Sequence, residues 1–198
     1  MVDNVSGQQH GTSVELPPDD VMFRVVGDEL IHQGAIIAFH QRTIEGPDGS
    51  RFERDIVQHP GAVAVVAVDG DDVFLVNQYR ACLDGNLWEI PAGKRDVDGE
   101  PPEITARREL EEEVGMKAAT MELLINVHHS PGFCDEYGHI FLARDLTPVP
   151  QRLEGPEEQH MTVAKVPLEA SVEMAMDGRI TDAKSVAGLL AAARRLGQ

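Results

Sequence analysis

GKRDVDGEPPEITARRELEEEVGM, residues 93–116, is the stretch on which the reading of this chain turns. Pro101 and Pro102 suit the first turn of a helix, where a missing N–H leaves no intrahelical bond unmade, and Gly115 suits a left-handed stop. The segment predicts a helix from about 101 to 114. Ala106, Leu110 and Val114 recur at steps of four and form its buried stripe, while Glu109, Glu112 and Glu113 cluster on another face. Like charges one turn apart weaken an isolated helix by roughly 0.2–0.5 kcal/mol per pair. A solvated face tolerates that cost. A bound cation offsets it, and carboxylate oxygens with room for water and phosphate suit Mg²⁺, with Mn²⁺ as an alternative.

Outward from the helix, AVAVVAV (62–68) and VFLVNQYR (73–80) flank the turn Asp69-Gly70-Asp71-Asp72 as a hairpin, its first strand apolar enough to be buried on both faces. Residues 34–60 hold β-branched and aromatic residues on both sides of Gly46-Pro47-Asp48-Gly49, a second hairpin. Strand-like runs follow at 121–129, 139–146 and 160–168, interrupted by the loop beginning Ser130-Pro131-Gly132-Phe133 and by an acidic segment around Glu154 to Glu158. Helical periodicity returns at about 168–177 and 182–196. Strands and helices interleaved in this way imply an α/β class fold, a mixed curved sheet sandwiched by helices. The expected division is a mobile tail at 1–20, a small N-terminal β subdomain at 21–58 and a main domain at 59–198.

Seventeen basic against thirty-four acidic residues give a net charge of −17, which opposes nucleic acid and anionic membranes as partners. A phosphorylated small molecule would then need local cations. No long apolar run and no basic, apolar leader is present, so the expected location is cytoplasmic. Cys82 and Cys134 have no ligand-like spacing.

From Glu100 onward the segment resembles the Nudix box, in which a Gly, five residues, a Glu and seven residues precede Arg-Glu-apolar-x-Glu-Glu-x-Gly-apolar. Glu100 stands eight positions before Arg108, which is followed by Glu109, Leu110, Glu111, Glu112, Glu113, Val114, Gly115 and Met116. The departure is that six residues rather than five separate Gly93 from Glu100. The resemblance implies a Nudix-type α/β/α sandwich and hydrolysis of a nucleoside diphosphate linked to another moiety. It also implies Glu109 and Glu113 as principal metal ligands, Glu112 and the Ala92 carbonyl as further ones, and Glu100 with Arg108 as a buried pair orienting the helix. Independently, the Arg108 guanidinium beside these carboxylates is expected to keep them ionised.

Arg54 to Val66, Gln78-Tyr79-Arg80, Leu87-Trp88-Glu89-Ile90-Pro91-Ala92-Gly93 and Ser130-Pro131-Gly132 together resemble the ADP-ribose pyrophosphatase branch of that family, over about residues 33–190. Pro131, fifteen positions after Met116, matches a marker of that activity. The branch implies cleavage of ADP-ribose to AMP and ribose 5-phosphate, Arg54 and Arg80 as phosphate contacts, and a homodimer formed through the N-terminal strands. Trp88 could stack on adenine or pack in the core. The branch places the general base in the loop 130–136, where Glu136 is the expected residue and Asp135 its competitor. Other nucleotide sugars, damaged nucleoside triphosphates and non-catalytic sensing of ADP-ribose stay open as alternatives.

Overall fold

A computed structural model describes residues 22–153 and 155–197. β1 (Arg24–Gln33), β2 (Ala38–Glu45) and β3 (Arg51–Gln58) make an antiparallel three-stranded sheet. The turn between β2 and β3 closes through the Gly46 N–H, which donates to the Ser50 carbonyl at 2.8 Å, with Gly49 at φ 81°. The hairpin expected at 34–60 is present, and β1 adds a strand that the irregular pattern RVVGDELIHQ did not announce. The tail expected at 1–20 falls outside the described residues.

The second sheet begins with β4 (Ala62–Asp69), β5 (Asp72–Arg80), β6 (Gly85–Glu89) and the short β7 (Ala92–Lys94). Helix α1 (Pro102–Glu109) follows, running into a π-helical turn at Leu110–Val114. β8 (Met116–His128), β9 (Tyr137–Pro148) and β10 (Thr162–Pro167) complete the sheet, and α2 (Leu168–Met176) and α3 (Ala183–Leu196) close the chain. The strand order is β10-β5-β4-β9-β8, with β6 on β5 and β7 on β4. β4 and β9 run parallel while the other pairs run antiparallel, so the sheet is mixed, as expected. No helix among the described residues is long and apolar enough to cross a membrane.

β4 explains the layering. Val63, Val65 and Ala67 point to the α1 side, where they pack with Ala106, Leu110 and Val114. Ala64, Val66 and Val68 point to the other side and pack with Ile90, Leu168, Leu189 and Ala192. Alternation on a strand with no polar residue before Asp69 thus feeds two cores. Leu110, fully buried, contributes about 1.5–3 kcal/mol by leaving water. The stripe Ala106, Leu110, Val114 is buried as its spacing required. The helix itself differs from the expectation. It starts after Pro101 and ends at Gly115, whose φ is 70°, yet its last five residues widen to π geometry.

Candidate active site

The acidic face is assembled by α1, its π-helical turn and β7. The Glu113 side chain is almost wholly buried, and its Oε2 accepts the Ala92 N–H at 2.9 Å. Gly93, next along β7, lies flush against Glu109: a Cβ there would sit 1.9 Å from the Glu109 carboxyl carbon. Any side chain at 93 would displace that carboxylate. Farther along the loop to Glu100, Gly99 takes φ 74°, and Gly93 lies in close contact with Glu109.

Arg108 does not do what was expected of it in two respects. Its Nη1 lies 2.9 Å from Glu112 Oε2 and 3.0 Å from Glu109 Oε1, whereas Glu100 is 3.8 Å from Nη2. The side chain is about a third exposed, but its Nε and Nη2 are buried and make no hydrogen bond, so Glu100 meets Arg108 through a long ionic contact at its buried edge; the Glu100 carboxylate accepts the Thr105 hydroxyl at 2.7 Å. Nor does Arg108 keep the carboxylates strongly acidic. Burial pushes Glu109 up to about 7 against the pull of Arg108, and burial pushes Glu113 up to about 8 against the Ala92 hydrogen bond. At Glu109 desolvation outweighs the pull of the guanidinium, and at Glu113 it outweighs the Ala92 hydrogen bond.

Among the described residues no three Asp, Glu, His or Cys side chains converge as they stand on one metal position. Arg108 bridges Glu109 and Glu112, holding the latter to one side. The donors nonetheless fit a hard divalent cation. They are oxygens only, two of them are carboxylates short of water and charge compensation, and the glycine at 93 leaves the Glu109 carboxylate its space. Glu109, Glu112, Glu113 and the backbone of Ala92 are the groups that would hold it.

Arg80, at the end of β5, is close enough to Glu113 for each to bias the other's charge. Its Nε and Nη2 both donate to Glu89 at 2.6 Å. Arg54 is elsewhere: on β3, with its guanidinium 4.5 Å from the centre of the Phe52 ring and Nη1 donating to the Glu53 carbonyl at 2.8 Å. Trp88 is half-buried on β6 and packs against the core beneath α3.

Glu136 sits between two imidazoles, 3.4 Å from His129 Nδ1 and 3.9 Å from His59 Nδ1. Asp135 holds the loop to the N-terminal sheet, accepting the His59 N–H at 2.8 Å and donating its own N–H to Val57 at 3.1 Å. A carboxylate that sequence reasoning passed over is Glu158, on the short turn before β10: its charge helps to raise both Glu109 and Glu113. The only signal was the acidic run ending there, read merely as a loop. Beside this turn a cavity of about 350 Å³ is lined by Tyr79, Asn86, Pro156, Glu157 and His160.

Comparison with known proteins falls on the same elements. A NUDIX domain family model matches residues 58–187. The chain is 39% identical over 170 residues to an ADP-ribose pyrophosphatase of Mycobacterium tuberculosis, covering 85% of this chain and 82% of that protein. It is also 39% identical over 163 residues to an ADP-ribose pyrophosphatase of Bacillus subtilis, covering 82% and 88%. A methanol dehydrogenase activator of Bacillus methanolicus is 37% identical over 164 residues, with 82% and 88% covered. Among solved structures, an ADP compounds hydrolase shares the fold at a TM-score of 0.77 and 23% identity, over 93% of this chain and 97% of that one. Sequence matches of this breadth, spanning the strand, turn and acidic helix that the structure packs together, classify the chain as a member of the Nudix family and a hydrolase.

Proposed function

We propose that the enzyme hydrolyses the pyrophosphate of ADP-ribose to AMP and ribose 5-phosphate, with Mg²⁺ as its metal and Mn²⁺ as a substitute. The names of its relatives support this substrate, and the observation that carries the chemistry is the buried Glu113 carboxyl, beside Glu109 and within electrostatic reach of Arg80. Glu109, Glu112, Glu113 and the Ala92 backbone would hold the cation, which would supply positive charge to the pyrophosphate and acidify a water. Arg80 binds phosphate oxygens, and Arg108, bonded to Glu109 and Glu112, steadies the acidic helix. A carboxylate takes the water's proton as its oxygen bonds to phosphorus. The P–O bond of the bridge breaks, and its electron pair leaves with the second phosphate.

Two carboxylates are candidates for that proton. Glu136 lies in the loop expected to carry the base, but its neighbours are His59 and His129. Glu158 exerts its charge on both Glu109 and Glu113, which favours it as the proton acceptor beside that acidic pair. Loss of a general base lowers kcat by about 10²–10⁴. Glu158→Gln is expected to show that loss with Mg²⁺ affinity nearly unchanged, and Glu136→Gln less than about tenfold, measured by AMP release. The reverse ranking makes Glu136 the base, and no AMP from ADP-ribose beside turnover of another nucleotide sugar overturns the substrate.

The three-stranded sheet, within residues 21–58, is proposed as a dimer arm serving the main domain at 59–198. It exposes Val25, Leu30, Ile31 and Ile36, and a second copy of the chain is the partner proposed to cover them. Unpaired Cys82 and Cys134 suit a reducing, cytoplasmic setting.

A further inference from the structure

Behind Arg80 the structure buries a set of charges that the proposed chemistry does not use. Glu89 is fully buried, and besides the two bonds from Arg80 it accepts one from Lys184 Nζ at 2.5 Å. Lys184 is itself nearly buried and donates also to Asp182 Oδ1 at 2.8 Å. Asp182 caps α3, accepting the Ser185 N–H at 2.9 Å; the Ser185 hydroxyl accepts the Ile90 N–H at 2.9 Å. Burial would push the Asp182 carboxyl up, but Lys184 and Ser185 outweigh it and hold it below its ordinary value. Two cations and two anions alternate in one cluster, and it ties the first turn of α3 to the end of β6.

This arrangement has a direction. Arg80 spends Nε and Nη2 on Glu89, and among the described residues its Nη1 has no hydrogen-bond acceptor. The guanidinium is planar, so the plane of the Glu89 carboxylate decides where Nη1 points. That carboxylate is fixed by Lys184, whose Nζ shares Oε2 with Arg80 Nη2. From Glu89 the chain passes through Ile90, held by Ser185, to Ala92 and Gly93, the two residues that seat Glu113 and Glu109.

We infer that Lys184, on the C-terminal helix, is a positioning residue for substrate binding: it anchors Glu89 so that the free edge of Arg80 is presented to a phosphate of the substrate. The inference rests on the reading of Arg80 as a phosphate contact. Without Lys184 the buried Glu89 keeps a single cationic partner, Arg80 is drawn toward it, and Nη1 withdraws from the pocket.

The test is a kinetic cycle on the full chain with ADP-ribose and saturating Mg²⁺. Lys184→Met is expected to raise KM on the order of tenfold while kcat changes less than about threefold, because misplacement of a binding group costs binding first. Lys184→Arg, which keeps the charge and the donors, is expected to restore most of that KM. In an Arg80→Ala background Lys184→Met is expected to add nothing further, since there is no guanidinium left to aim. If Lys184→Met does not fold, Lys184→Gln, which keeps a donor without the charge, takes its place in the same cycle. A KM unchanged in these variants while Arg80→Ala raises it overturns this inference alone, as does an equal penalty in both backgrounds or a loss confined to kcat. A KM indifferent to Arg80→Ala overturns the phosphate role of Arg80 and this inference with it.

Discussion

Glu113 shows how burial gives one residue opposite effects on stability and on function. Its carboxyl is raised from 4.5 to about 8 and that of Glu109 to about 7, both chiefly by burial. A raised acid contributes stability that is complete below its unfolded value and lost as the pH climbs through its folded one. In the metal-free protein that window runs from about 4.5 to about 8, and the loss is on the order of a few kcal/mol. Glu113→Gln keeps a carbonyl acceptor for the Ala92 N–H and removes the charge. In EDTA its melting temperature is expected to gain on the parent progressively between pH 5 and pH 8, and the increment that Mg²⁺ adds to the parent is expected to shrink or vanish. Parallel pH profiles for the two proteins would sink the assignment. That the three glutamates cluster beside Arg108 was legible from spacing, and their role as ligands was implied by the family resemblance. Which influence governs their acidity was not legible, because desolvation depends on what β7 covers. Glu158 was illegible for a related reason, since its neighbours Glu109 and Glu113 are brought to it only by the packing of β10 against β5.

Elements were read well where punctuation or amphipathicity was strong. β4, β5, the turn at 46–49 and α3 all follow their patterns, and the helical run through α1 and its π-helical turn begins and ends at the residues its prolines and glycine mark. β1 escaped because it is exposed along nearly its whole length and has no apolar alternation to declare it. The π-helical turn escaped because five residues with ordinary helical composition do not reveal a widened turn. Gly188 in α3 gives the test at this scale. A Cβ there would lie 3.0 Å from Ile90 Cδ1 and 3.1 Å from both Ile140 Cγ2 and Val66 Cγ2, so the helix approaches the sheet as closely as a glycine permits. Overpacking costs about 1–3 kcal/mol, against a helix-propensity gain of about 1 kcal/mol for alanine. Gly188→Ala is therefore expected to be neutral to destabilising in urea unfolding, and a clear gain in stability would show that the helix stands farther off.

At the scale of the whole molecule the three-stranded sheet is the part with least core of its own. β1 lies at its edge, with Val25, Leu30 and Ile31 exposed. A covering second copy predicts twice the chain mass by light scattering, and Val25→Asp combined with Leu30→Asp is expected to reduce it to the monomer. A parent chain already monomeric at micromolar concentration would remove the proposed arm. The remaining consequence belongs to the centre of the other sheet. β4 opens at Ala62, but its parallel partner β9 opens only at Gly138, so during synthesis a fully apolar strand emerges long before the neighbour that completes it. The repelling glutamates emerge within that interval. On the ribosome the nascent chain therefore carries an apolar strand whose β9-facing edge stays open, with only β5 and β7 to pair its other side, until β9 has left the exit tunnel.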